Sequence, residues 1–108
     1  MSQLAGWGLL AAAIAFEVAG TAMLKTAATT ERSLWFVGAL AAYGVCFAIF
    51  MLTLKALPLS VAYAVWGGAG AALIVLIDVF FFGQSLSALQ VGFICLIIIG
   101  VVGVKLAS

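Results

Sequence analysis

Residues 4–25 read LAGWGLLAAAIAFEVAGTAMLK. From Leu4 to Leu24 the single charged side chain is Glu17, and Lys25 closes the run. One bilayer span takes about 20 apolar residues, so this segment is long enough to cross a membrane as a helix. It does not read as a cleaved signal peptide, because no Lys or Arg precedes it, it is too long, and an acid sits in its middle.

Working outward, three more runs of the same kind follow. The polar segment 25–33 (KTAATTERS) reads as the longest loop. Leu34 to Leu54 forms a second run that stops at Lys55, and Leu57-Pro58 marks a turn. Pro58 suits the first turn of the next helix, where its missing N–H is not needed. The third run, Leu59 to Phe82, has Gly67, Gly68 and Gly70 in its middle. Residues 83–87 (GQSLS) break it, and Ser87 reads as an N-cap for the fourth run, Ala88 to Leu106. The expected architecture is therefore an all-α membrane protein. It is a single transmembrane domain over 1–108, with four transmembrane helices near 4–24, 34–54, 59–82 and 88–106.

Composition agrees. Of 108 residues, 69% are hydrophobic and 6% charged, where a soluble domain carries about a quarter charged. Almost nothing lies outside the four runs, which excludes a nucleotide fold. The formal net charge of +1 gives no reason to expect nucleic-acid binding. Cys46 and Cys95 lack paired spacing and the chain has no histidine, so both read as small apolar filler, with no metal site and no cofactor.

Cation placement bears on orientation. With four spans, Lys55 and Lys105 fall on one side of the membrane and Lys25 and Arg32 on the other. The positive-inside rule needs an excess on one side, and here there is none. Four helices also pack their own core and leave no path for a solute. Balanced charge and the need for a second bundle together point to an antiparallel, dual-topology dimer.

Glu17 is the residue that carries chemistry. At about 1.5 Å per residue it lies about 12 Å from Lys25 and about 20 Å from Leu4, deep in the hydrocarbon. An ionised carboxylate there costs about 3 kcal/mol or more, so it stands only when neutralised. A proton or a bound cation neutralises it, and the two exclude each other at one carboxylate. Ala13, Gly20 and Thr21 flank Glu17 at helical spacings and leave space on that face. Tyr63, Trp66, Gly67 and Gly70 form one stripe on the third helix, and Tyr43, Phe47 and Phe50 another on the second. A buried acid with such rings suits an organic cation, through charge pairing and cation–π attraction. The cluster Gly67 to Gly70 permits close backbone approach or a bend, and no Lys-Ser/Thr follows that would make it a phosphate loop. Gly92, Gly100 and Gly103 assign the fourth helix to tight helix–helix contact between copies.

Two other classes stay open on these residues. A non-transporting membrane subunit would use Glu17 as helix glue, and a proton channel would leave the aromatic stripes without a purpose. An enzyme is the least favoured class, and none is expected, since apart from Glu17 and Asp78 no general base, nucleophile or metal ligand lies in the membrane core.

The residues also resemble a known family. Phe16-Glu17-Val18-Ala19-Gly20-Thr21 with Lys25 is similar to the first-helix signature of the small multidrug resistance family. Residues 62–70 (AYAVWGGAG) resemble its third-helix motif, Phe82-Gly83-Gln84 its third loop, and Leu96 to Val101 its fourth-helix dimerisation segment. The resemblance implies a proton-coupled antiporter of the bacterial cytoplasmic (inner) membrane that exports organic cations by alternating access. Glu17 binds substrate and proton in competition there, beside the glutamate of a second copy. Tyr63 and Trp66 fall on substrate-contacting aromatic positions, as do Tyr43 and Phe47, and Arg32 on a loop arginine. Gly20 stands where the guanidinium-exporting branch has tryptophan, which favours quaternary ammonium and lipophilic cationic drugs. Residues 66–68 (WGG) resemble a polyamine-exporting subgroup of paired chains, so a paralogous partner is the alternative to a second copy. Residues 29–32 (TTER) depart from the usual first loop, and Gly67 replaces a frequent Ser or Thr. Asp78, about 6 Å from the end of the third run, reads as an interfacial acid paired with Lys25 or Arg32 rather than a second proton site.

The charge balance predicts both insertion orientations. A single cysteine placed at the C-terminus is expected to react with an impermeant label from both faces of the membrane. Reaction from one face alone rejects the dual topology.

Overall fold

The computed structural model describes residues 2–108 of the chain. Among them are four helices: α1 (Gln3–Thr30), α2 (Ser33–Thr53), α3 (Leu59–Phe81) and α4 (Ala88–Ala107). All four are long and apolar enough to cross a membrane. Hydrocarbon offers the backbone no hydrogen bonds, and a helix supplies its own. The helices form two compact units, α1–α2 through Leu57 and α3–α4 from Pro58 onward.

The first unit is a hairpin with a very short connection. Ser2 caps α1 by accepting the N–H of Ala5 at 3.1 Å. The helix then passes straight through most of the segment expected to be a loop. Ala27 and Ala28 favour helix, and the threonines fold their hydroxyls back onto the preceding turn. Thr26 donates to the Ala22 carbonyl at 3.0 Å, Thr29 to Lys25 at 3.0 Å, and Thr30 to Thr26 at 2.6 Å. Lys25 ends the apolar stretch, not the helix. The stop comes at Glu31, in the left-handed conformation (φ 58°), whose N–H reaches the Ala27 carbonyl at 2.9 Å. Only Glu31 and Arg32 separate α1 from α2.

Small residues let α1 and α2 approach closely. A Cβ on Gly6 would lie 2.7 Å from the Cβ of Ala56, and one on Gly20 would lie 3.2 Å from the Tyr43 ring. A Cβ on Gly38 would meet the Met23 sulfur at 3.3 Å. Gly6 meets the turn that follows α2, the other two contacts pair α1 with α2, and their order along the chain is that of an antiparallel pair. Buried Gly6, Leu10, Ala13, Ile14 and Val18 form the inner stripe of α1, and Ala39, Ala42, Cys46, Phe50 and Thr53 that of α2. Thr53 is fully buried, and its hydroxyl donates to the Ile49 carbonyl at 3.1 Å.

In the second unit Pro58 is the N-cap of α3, and its carbonyl accepts from Ala62 at 2.9 Å. Its fixed φ fits that position, one residue before the first turn. Gly83, with φ 73°, closes the helix: the N–H groups of Phe82 and Gln84 both return to the Asp78 carbonyl. Ser87 caps α4 in a reciprocal box with Gln90, the Gln90 N–H donating to Ser87 at 3.1 Å and the Ser87 N–H to Gln90 at 2.9 Å. A side chain at Gly68 would overlap Val101, so α3 and α4 meet there at backbone distance. No residue of α4 is buried.

The contact at Gly6 is between two short, rigid groups, and that makes it testable. Gly6→Ala is expected to cost about 1–3 kcal/mol through overpacking. Gly8→Ala, where nothing lies within 4 Å, is expected to be neutral or slightly stabilising. Thermal unfolding in detergent compares them, and equal effects would reject the close contact.

Candidate functional site

Glu17 sits in the middle of α1, half-buried, with its two carboxylate oxygens in different surroundings. Oε1 accepts from the Thr21 hydroxyl at 3.1 Å, one turn further along. That hydroxyl also lies 2.6 Å from the phenolic oxygen of Tyr43 on α2. Oε2 is buried and has no hydrogen-bond partner among the described residues. A half-satisfied carboxylate in an apolar span has an open valence for a proton or a cation.

The local packing explains how Tyr43 reaches this point. Gly20 presents no Cβ, so the edge of the Tyr43 ring closes against its backbone, and Ala42 beside it is equally short. Tyr43 then stacks on Phe47 one turn later, with centroids 6.4 Å apart and planes at 27°. Ala13, one turn before Glu17, is fully buried. The first unit therefore brings together Glu17, Gly20, Thr21 and Tyr43, with Phe47 stacked behind. Phe50 departs from the expected aromatic stripe, because it is buried in the helix pair.

The second unit carries the other expected aromatics. Tyr63 is exposed and meets Trp66 edge to face, with centroids 5.5 Å apart and an interplanar angle of 65°. Gly67 is open, while Gly68 and Gly70 are buried. A cleft of about 360 Å³ between α3 and α4 is lined by Gly68, Ala69, Ala72, Leu73, Ile98, Val101 and Val102. With no polar wall, it has nothing to neutralise a charged ligand. Gly92, Gly100 and Gly103 all face open space.

Asp78 is half-buried near the end of α3, in the second unit, and Lys25 and Arg32, both exposed, lie in the first. Its backbone carbonyl closes α3. Among the described residues no group of three or more Cys, Asp or Glu is placed to hold a metal.

Sequence reading missed the role of Thr21. It counted as a small neighbour that leaves space, whereas its hydroxyl joins Glu17 to α2. The signal was present as a Glu-to-Thr spacing of four, which puts both side chains on one face of a helix.

Four apolar spans with one acid placed deep in the first define a multi-pass membrane protein with a buried ionisable site. Residues 5–97 match the family model described as Small Multidrug Resistance protein, and the chain belongs to that family. It is 39% identical over 89 residues to quaternary ammonium compound-resistance protein QacG of Staphylococcus sp., covering 82% of this chain and 83% of that protein. It is 39% identical over 100 residues to multidrug resistance protein Mmr of Mycobacterium tuberculosis, covering 92% and 94%. The multidrug transporter PA4990 of Pseudomonas aeruginosa is 37% identical over 99 residues, covering 92% and 90%. Members of this family are transporters rather than enzymes.

Glu17 and Asp78 are the two acids inside the spans, and only Glu17 has a side-chain network. Asp78→Asn is therefore expected to leave the pH dependence of transport unchanged. A displaced pH profile would make Asp78 a second proton site.

Proposed function

We propose that this protein is a proton-coupled antiporter that exports organic cations, of the quaternary ammonium and lipophilic cationic drug type, across the bacterial cytoplasmic membrane. The observation that carries the reading is the buried Oε2 of Glu17, a carboxylate oxygen in mid-span with no hydrogen-bond partner among the described residues. A proton or an organic cation neutralises this group, and neither can stay when the other binds. Proton entry on one side then expels the cation, and cation entry on the other expels the proton.

The family and its relatives support the substrate class. The names of QacG and Mmr connect them with resistance to quaternary ammonium compounds and to multiple drugs. A quaternary ammonium ion has no N–H to donate, so it is recognised by charge and by aromatic faces. Tyr43, Phe47, Tyr63 and Trp66 supply such faces in this proposal, with Ala13, Gly20, Thr21 and Gly67 keeping the surroundings small. The working unit is a dimer of antiparallel copies, supported by the even distribution of Lys and Arg. An α4 that has no buried residue and three open glycines, Gly92, Gly100 and Gly103, supports the same reading.

The exchange predicts that purified protein in weakly buffered detergent solution releases protons when a quaternary ammonium cation is added. Guanidinium, spermidine and a bulky aromatic cation, tested alongside, rank the substrate class by the size of the release. Glu17→Gln is expected to abolish it. Release that survives in Glu17→Gln, or none with any cation in the native protein, would overturn the antiporter reading.

A further inference from the structure

The five threonines of the described helices do not behave alike. Thr26, Thr29, Thr30 and Thr53 all give their hydroxyl hydrogen to a backbone carbonyl in the preceding turn. This is the default for a helical threonine. Thr21 instead gives its hydrogen to a side chain, the Oε1 of Glu17.

The contact between Thr21 and Tyr43, 2.6 Å between oxygens, leaves the donor open when taken alone. The carboxylate decides it. An ionised carboxylate only accepts, and a threonine hydroxyl has one hydrogen. With that hydrogen on Glu17, the hydrogen in the second contact has to come from Tyr43. The chain therefore runs in one direction, from the Tyr43 hydroxyl to Thr21 and from Thr21 to Oε1. The two ends of this chain sit on different helices, and the missing Cβ of Gly20 is what lets the Tyr43 ring come close enough to take part.

We infer that Thr21 and Tyr43 form a directional relay that fixes Oε1 of Glu17 and leaves Oε2 as the oxygen that exchanges proton for cation. This deepens the antiporter reading and rests on it. Thr21 and the Tyr43 hydroxyl are positioning residues. They hold the carboxylate in one rotamer and supply charge-assisted bonds to one oxygen, while the second stays bare and buried. Tyr43 thus has two separable roles, its ring as an aromatic face and its hydroxyl as the start of the relay.

The test uses the full-length protein in detergent, with benzyltrimethylammonium as the probe and proton release as the readout. Thr21→Val removes the hydroxyl and keeps the branch, and is expected to raise the half-saturating probe concentration about tenfold, as for one lost charge-assisted hydrogen bond. Thr21→Ser keeps the hydroxyl and loses a methyl, and is expected to stay within about twofold of the native protein. A packing role would give the reverse order. Tyr43→Phe keeps the ring and tests the relay from its other end, with an expected loss of about threefold. Because Tyr43 acts through Thr21, adding Tyr43→Phe to Thr21→Val is expected to cost no more than about twofold further.

The relay fails if Thr21→Val binds like the native protein, if Thr21→Ser is as weak as Thr21→Val, or if the two losses multiply in full. Native protein and Glu17→Gln run in the same series separate the outcomes. Release in the native protein that is lost in Glu17→Gln but untouched by Thr21→Val rejects the relay and leaves the antiporter standing. No release in the native protein rejects the antiporter itself.

Discussion

Hydrocarbon offers no hydrogen-bond partner, and every polar group placed inside it must find one within the protein. The rest of this structure follows from that constraint. The backbone meets it by becoming helix for nearly the whole chain, with connections short enough to stay near the membrane surface. Side chains meet it locally. Thr53, fully buried, returns its hydroxyl to Ile49, and the threonines at the end of α1 do the same, which carries the helix past its apolar stretch. Against that background one bare buried oxygen on Glu17 is conspicuous. On the proposed reading that oxygen is where a proton or a cation binds.

Packing faces a related difficulty. Lipid tails are as apolar as leucine, so burying leucine between helices gains little, and close approach has to come from small residues. Gly6, Gly20 and Gly68 each sit where a Cβ would meet a neighbour at or below ordinary contact distance. Gly20 does more than pack. It brings the Tyr43 ring against α1 and so places a phenolic hydroxyl within reach of Thr21. One missing methyl group thus links a packing requirement to the polarity of the site.

The four helices were legible in the sequence because each is an apolar run near the length of one span, broken by Lys, Pro or Gly. The cap at Ser87 was legible for the same local reasons, and Pro58 was legible as the start of α3, though it stands one position before the expected first turn. The end of α1 was not. Polarity was read as loop at residues 25–33, but polarity marks the membrane boundary and says nothing about where a helix stops. That depends on capping, and the left-handed residue proved to be Glu31 rather than a glycine. In the site, Glu17 stood out because an acid in mid-span is costly. The link from Thr21 to Tyr43 was hidden, since it depends on which residues of α1 and α2 lie level with each other.

On the proposed exchange, coupling needs no moving catalytic part, only the cost of charge in a medium of low polarity. A bare carboxylate at the depth of Glu17 is unfavourable by about 3 kcal/mol or more. In the proposed exchange the site passes between its protonated and cation-bound forms. A leak would require the empty, ionised state to persist while access changes. Of the two oxygens, Oε1 is held by the Thr21 hydroxyl and Oε2 is left open. On this reading the held oxygen keeps the carboxylate in one place, and the open one is where proton and cation replace each other.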